Sequence, residues 1–467
     1  MARVRCVGCG TLAETQALDP VCGRCGSSVL LHRESTPRLK ASDLVKSLRG
    51  VWRYRQLLTG VPTGGVVSLG EGGTPLLRAP RLEKHLGLRT LLLKDESRNP
   101  TGSFIDRGST VLVSLAKGEG FEECACLTTG NLGASLAAYC AKAGITARVS
   151  VGPSTDQGKL YQMLAYGAKV GAVLGGEGQV ARGRKSLAVT AGNPYLLEGE
   201  KTTCLEVLEE LGWQPPDAIV LPVGTGGHLS MTWHALVAAE QSGLIKRHKT
   251  KLIGVGVRRS KGSDADANTE LEESEPYLVK EAAMAVKATG GRELSTTDYE
   301  AVEAMRLLAR TEGIFAEPAS ASVVSCLSSA LEEGDIHRDD LVVGIVTGAG
   351  LKDTRAVSRM ARSVRRVPVR GVGQTPRVQV GETKLEILRA LSQSTGYGYS
   401  LWRELSETRR LSTASVYQHL SELEAMGLVS RAGTVERLGR VRVTYEATAK
   451  GHELVKMELH LRMGHEG

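Results

Sequence analysis

The chain has 467 residues, 41% of them apolar, enough for two or three packed cores rather than one. Its formal charge of +8 is confined to one end: from Thr354 onward there are 19 Lys and Arg against 11 Asp and Glu, so the first 353 residues balance. The most apolar runs, such as LVVGIVTGAG from Leu341, fall short of the ~20 residues a spanning helix needs, and the opening residues do not read as a charged-then-apolar leader, so a cytoplasmic protein with no membrane partner is expected. A neutral body with a basic tail is the footprint of a protein that handles small molecules at one end and a polyanion at the other.

The first element is a cysteine pattern. CVGC (Cys6, Cys9) and CGRC (Cys22, Cys25) each place two thiolates at a tight turn, with Gly8, Gly10, Gly23 and Gly26 to supply its backbone angles. Four sulfurs predict a closed, structural zinc site in a ribbon over residues 1–35. Two disulfides would need a secretory context, and a redox pair would not come in two copies. The remaining cysteines, Cys124, Cys126, Cys140, Cys204 and Cys326, lie in apolar or mixed runs and are expected to be small buried residues.

After a polar bridge, apolar strand-like runs (TLLLKDE, CACLTTG, TARVSVG, AIVLPVGTGG, KLIGVGV) alternate with amphipathic helical ones such as ASLAAYCAKAG and KLYQMLAYGA. That alternation predicts an α/β domain, residues 36–362, of parallel sheet covered by helices. Several strands end in glycines, where backbone N–H groups can point at a phosphate. LPVGTGGHLS from Leu221, TTGNLGAS from Thr128 and IVTGAGLKD from Ile345 are three such turns, each weak evidence alone. The alternation stops at a Pro, Gly and Arg-rich linker over residues 363–382, and a new pattern fills 383–467.

Together with SLGEGGTPLL (Ser68 to Leu77), NPTGSFIDRG (Asn99 to Gly108), NPYLLEGEKT and EGIFAEPASA, these turns resemble threonine synthase, of the fold type II pyridoxal-phosphate enzymes, over roughly residues 1 to 360. The resemblance implies parallel sheets in two subdomains and a cofactor phosphate held by Gly224, Thr225, Gly226, Gly227 and His228. It also implies Asn131 beside the ring's 3-oxygen, Thr347 near the pyridine nitrogen, and Ser103, Thr128 and Thr129 toward the substrate. The family's lysine lies in SFKDRG, where it holds the cofactor aldehyde as a Schiff base and then moves protons. Here that position is Ile105, which can do neither. Lys94 and Lys201 lie in family segments, but Lys94, eleven residues upstream on a strand, is badly placed to substitute. His228 and Ala349 also depart from the family's usual residues. The expectation is non-covalent cofactor binding, if any, with the chemistry lost. The resemblance equally allows a working threonine synthase, converting O-phosphohomoserine to threonine and phosphate, with an appended domain.

In the tail, apolar residues fall at helical spacing: Leu385, Leu388 and Leu391, then Leu401 and Leu405, then Val416, Leu420, Leu423 and Met426. Three short helices in that order match a helix-turn-helix core, with Ser412 as N-cap of the third. Thr413, Ser415, Tyr417 and Gln418 are its outward groups. Behind it, Val441, Val443 and Tyr445 alternate with Arg440 and Arg442 in a hairpin that also carries Arg437, a basic wing. The segment resembles the winged-helix domain of PadR-type regulators over about 70 residues. Such a domain can also dock proteins; the charge asymmetry favours DNA as partner. Helix-turn-helix readers usually act as dimers, and the run from Lys450 to Met463 is the candidate pairing helix of a homodimer. The combined expectation is a transcription regulator that senses pyridoxal phosphate, an amino acid or phosphohomoserine.

Overall fold

The computed structural model describes residues 2–15, 21–45, 48–62, 64–128, 130–152, 155–172, 185–258, 278–363, 382–406, 411–437 and 440–463. The chain divides into two compact units, Met1–Arg366 and Val367–Gly467. Most of the expected linker, residues 364–381, lies outside the described residues.

The first unit opens with a small antiparallel sheet in which β1 (Ala2–Cys6) lies between β2 (Leu12–Thr15) and β3 (Val29–Leu31). Strand and helix then alternate: β4 (Leu76–Arg78), α1 (Pro80–Leu86), β5 (Thr90–Asp95), α2 (Asp106–Gly118), β6 (Glu123–Thr128), α3 (Asn131–Ala143), β7 (Thr146–Val151), α4 (Gln157–Ala165), β8 (Lys169–Ala172) and β9 (Ser186–Val189). The series continues through α5 (Pro194–Glu200), α6 (Thr202–Glu210), β10 (Ala218–Pro222), α7 (Gly227–Ser242), β11 (Lys251–Arg258), α8 (Val279–Ala288) and β12 (Arg292–Thr297). It closes with α9 (Asp298–Glu312), α10 (Pro318–Ser325), α11 (Leu327–Glu332), β13 (Leu341–Val346) and α12 (Thr354–Ser363).

Two sheets result, as the alternation predicts. One has the order β12-β11-β10-β13-β5-β4 and is parallel except for β4 against β5. The other, β8-β7-β6-β9, is wholly parallel. Helices cover both faces of the central strands, which is why β10 is buried at every residue and reads as a continuous apolar run. The five cysteines outside the ribbon are all buried.

The first turn of α2 is fixed by a buried ionic cluster. The Arg107 guanidinium, fully buried, donates to Glu96 through Nε (2.6 Å) and Nη2 (2.8 Å), and to Glu206 through Nη1 (2.8 Å) and Nη2 (2.7 Å). Lys94 Nζ lies 3.0 Å from Glu206 and donates to Glu210 at 2.8 Å and to the Thr74 carbonyl at 2.6 Å. The Gly73 amide donates to Glu206 as well. Four segments far apart in sequence are thereby tied together, and Glu206 is held at about 2: burial opposes its charge, and the nearby guanidinium overrides that cost. Glycines let the backbones close in. A Cβ on Gly199 would stand 2.0 Å from the Arg107 carbonyl oxygen, so α5 lies directly against the start of α2.

The second unit packs α13 (Glu382–Gln393), α14 (Gly398–Leu405) and α15 (Thr413–Ala425) beside the hairpin of β14 (Val429–Arg437) and β15 (Arg440–Ala447), followed by α16 (Ala449–Met463). Leu385, Leu388, Leu391, Leu401, Leu405, Val416, Leu420 and Leu423 are buried as their spacing predicts. Two residues differ. Met426 is 37% exposed because it caps the C-terminal end of α15, beyond the packed face. Val443 is equally exposed because the helical core reaches along β15 only to Tyr445, whose backbone bridges to Gly396.

Truncating Arg107 leaves Glu96 buried without its ion-pair partner and Glu206 with Lys94 alone, and breaking a buried pair in this way typically costs about 3–5 kcal/mol. Arg107→Ala is expected to lower stability by that order in urea unfolding of the full chain. A loss below about 1 kcal/mol would contradict this view of the cluster.

Candidate functional site

The strand ends of both sheets open onto one pocket of about 770 Å³, part of it solvent. The loop after β10 forms one wall. Gly226 sits at φ +83°, and a Cβ there would come within 2.6 Å of the Leu278 carbonyl, so only glycine fits. Among the described residues, the backbone N–H groups of Gly224, Thr225, Gly226 and His228 have no acceptor, while that of Gly227 makes only a long bond to Thr225 Oγ1 (3.4 Å). They stand at the start of α7, a 16-residue helix. Unfilled amides at a helix N-terminus are a cradle for a phosphate-sized anion, so the residues present fit the phosphate of a pyridoxal cofactor.

Thr347, at the end of β13, also lines the pocket, and its hydroxyl is 2.8 Å from that of Ser320. The backbone pins this turn to the loop before α2: Phe104 N donates to the Thr347 carbonyl, and Ala349 N to that of Gly102. Phe104 and Ile105 therefore face the pocket. Asn131, at the first residue of α3, donates from Nδ2 to Glu317 Oε2 at 2.9 Å, and Glu317 in turn holds Lys159 at 3.0 Å. His228 is buried and stacks on Phe104 with ring centroids 4.3 Å apart; burial pushes its pKa down to about 4.

Of the residues singled out in the sequence, Ile105, Asn131, Gly224, Thr225, Gly226, Gly227, His228 and Thr347 come together on this wall. Ser103 is fully buried behind it, its Oγ 3.4 Å from the Ile105 amide, and Thr128 Oγ1 accepts from Gly130 N. Neither lines the pocket. Thr129 lies outside the described residues. No lysine lines the pocket among the described residues. Lys94 is held in the Arg107 cluster, and Lys201 is paired with Glu198. The pocket adds Phe104 and Glu200, both inside quoted motifs: Phe104 precedes Ile105, and Glu200 closes NPYLLEGE.

At the ribbon, the sulfurs of Cys6, Cys9, Cys22 and Cys25 all lie within 4.8 Å of one another. The Thr11 hydroxyl, 3.1 Å from the Cys9 sulfur, holds that thiol down at about 6, whereas burial pushes Cys6 up to about 11. Four thiols in that space can hold one tetrahedral metal ion with no open position.

In the second unit, Ser412 caps α15 by accepting from Ser415 N. Ser412, Tyr417 and Gln418 are exposed, and Thr413 and Ser415 half-buried. Tyr417 also packs on Gly398, where a Cβ would stand 2.4 Å from its ring. Arg437 and Arg440 pair in register across the described end of the hairpin. Arg442 has a partner that the sequence did not announce: its guanidinium lies over the rings of Tyr397 (5.4 Å) and Tyr399 (5.3 Å).

The family model described as pyridoxal-phosphate dependent enzyme matches residues 67–348, and that of the PadR-like transcriptional regulators matches residues 387–457. Among curated proteins, a threonine synthase of Methanocaldococcus jannaschii is 38% identical, with 76% of this chain covering 94% of that protein. A threonine synthase of Mycobacterium leprae is 37% identical, over 66% of this chain and 89% of that one. A solved structure of O-ureido-L-serine synthase bound to O-ureido-L-serine shares the fold at TM-score 0.52 and 19% identity, covering 66% of this chain and 96% of that one. The chain belongs to the pyridoxal-phosphate dependent enzymes, with threonine synthases as relatives, and carries a PadR-like domain at its C-terminal end.

Proposed function

We propose that this chain is a threonine-synthase-like protein without its catalytic lysine that works as a ligand-responsive, DNA-binding transcription regulator. The observation that carries the reading is Ile105. It takes the position from which, in the family, a lysine amine would reach the cofactor, and no other lysine lines the pocket among the described residues. Pyridoxal phosphate, when bound, supplies an electron sink for carbanion chemistry. The chain's residues still do the binding half of the task. The amides of Gly224, Thr225, Gly226 and His228 hold the phosphate, Asn131 and Thr347 offer polar groups toward the ring, and Phe104 and Ile105 give an apolar wall that excludes water. What is missing is a group to carry a proton at the reacting carbon. The ligand sensed is pyridoxal phosphate, an amino acid or phosphohomoserine.

In this reading the tail binds DNA as a homodimer paired through α16. α15 enters the major groove with Ser412, Thr413, Ser415, Tyr417 and Gln418, and the hairpin presents Arg437, Arg440 and Arg442. The ribbon holds one structural zinc through Cys6, Cys9, Cys22 and Cys25.

A second reading is a working threonine synthase with an added DNA-binding domain. It is favoured by a threonine synthase that is 38% identical and matched over 94% of its length.

Phosphate release from O-phosphohomoserine, with pyridoxal phosphate added, separates the two. The first reading expects none from the protein as it stands and measurable release from Ile105→Lys; robust release by the unaltered chain would establish the second. For the tail, Arg440→Ala and Arg442→Ala together are expected to weaken DNA binding and reduce the log–log salt slope by about 1 per lost phosphate contact. Unchanged binding would indicate a protein-docking module instead. Elemental analysis is expected to find one zinc per chain, with Cys9→Ser lowering that ratio; a metal-free, equally stable protein would refute the zinc assignment.

A further inference from the structure

The wall of the pocket does not end with the α/β body: the layer behind it includes one residue of the cysteine ribbon. Resting on the reading above, in which the 224–227 turn holds the cofactor phosphate, we propose that Leu30 of β3 is a positioning residue for that turn, so that the ribbon forms part of the phosphate site.

β3 is three residues long, and successive side chains on a strand point to opposite faces. Val29 packs into the ribbon with Val4 and Cys6, whereas Leu30 is buried on the other side with Leu197, Met231 and Leu278. Those three come from α5, α7 and the residue before α8, and two of them touch the turn. A Cβ on Gly227 would lie 2.5 Å from Leu197 Cδ2, and one on Gly226 would lie 2.6 Å from the Leu278 carbonyl. Leu278 N also donates to the Thr225 carbonyl at 2.8 Å. A single layer of residues therefore separates the ribbon from the turn.

A second tie runs beside the first. Arg33, just past β3, donates to the carbonyls of Gln56 (2.6 Å) and Leu58 (2.5 Å), and the amide of the following Thr59 donates to Glu198 of α5 at 2.7 Å. The ribbon thus leans on α5 at Leu197 and, through this loop, at Glu198. α5 in turn closes on the phosphate turn at Gly227 and on the start of α2 at Gly199.

The turn binds through backbone amides, whose bonds weaken steeply once their angle drifts. Glycines give it little stiffness of its own, so its shape rests on what packs behind it. Shortening Leu30 leaves a void that only neighbouring side chains can close. Leu197 and Leu278 are neighbours that also touch the turn, so their relaxation reaches the amides. A ribbon that merely docked would need an apolar contact somewhere on the body; this contact falls on the two residues that shape the turn.

Equilibrium dialysis of the full-length chain against pyridoxal phosphate reads the effect, with urea unfolding alongside. Leu30→Ala is expected to raise the Kd about fivefold or more, the low end of ordinary coupling between sites. The volume-conserving Leu30→Met is expected to keep it within about twofold. Leu82→Ala removes a fully buried leucine of α1 from a separate core, and is expected to lower stability while leaving the Kd within about twofold. A Kd unchanged by Leu30→Ala would overturn the inference and leave the underlying reading standing. An equal rise in Leu82→Ala would overturn it too, because the loss would then follow stability in general. Hydrogen exchange of the unaltered chain decides the point even if Leu30→Ala does not fold: pyridoxal phosphate is expected to slow exchange in β3 as well as in the turn. Protection confined to the turn would overturn the inference. Failure of the unaltered chain to take up pyridoxal phosphate would instead overturn the reading above, and this inference with it.

Discussion

The burial of Arg107 between Glu96 and Glu206 is the constraint on which the rest of the first unit depends. A fully buried guanidinium between two carboxylates is strongly directional, because its three nitrogens make four contacts of 2.6–2.8 Å with the carboxylate oxygens in fixed fork geometry. It fixes the first turn of α2, and with it the residues just before. Asp106 is held by Thr101 and Ser135, and Gly108 must be glycine to let Leu196 approach. Ile105 holds this corner through its backbone alone, its carbonyl accepting from Gly108 N and Ser109 N, while the side chains of Thr101, Asp106 and Arg107 are tied by polar bonds and that of Phe104 by its ring stack. Position 105 is therefore presented to the pocket whatever side chain it carries. That is why the fold tolerates isoleucine there: an apolar side chain packs against the neighbouring core and needs no polar partner.

In the proposed reading, the same corner lets the site keep binding while losing chemistry. Anion binding rests on the backbone, on amides whose positions follow from glycine angles and the start of α7. Proton transfer rests on a single side chain. Substituting that side chain leaves the amides untouched.

Much of this was legible in the sequence because it is local. Strand runs that end in glycine announce turns with open backbone amides, the doubled C-x-x-C announces the four-sulfur cluster, and Ser412 before a helical run announces its cap. What could not be read is tertiary. Glu206 and Arg107 are 99 residues apart and meet only when the two sheets have formed. The stack of His228 on Phe104 joins elements separated by more than a hundred residues, and nothing in either motif signals it. In the tail, the alternation around Arg442 shows a basic strand but not the two tyrosines under its guanidinium, which come from the loop before α14 and its first turn. Met426 shows the opposite failure: it keeps the helical period after the packed face has ended.

The central claim is that occupancy of the pocket changes what the tail does. Fluorescence anisotropy of the full-length chain on a duplex selected by the chain from random sequence tests it most directly, at fixed salt, with and without pyridoxal phosphate and amino acids. The account predicts that the operator Kd shifts by about fivefold or more, the low end of ordinary coupling between sites. A Kd unchanged by every such ligand, in a protein shown to bind them, would mean that the two units share a chain but not a function.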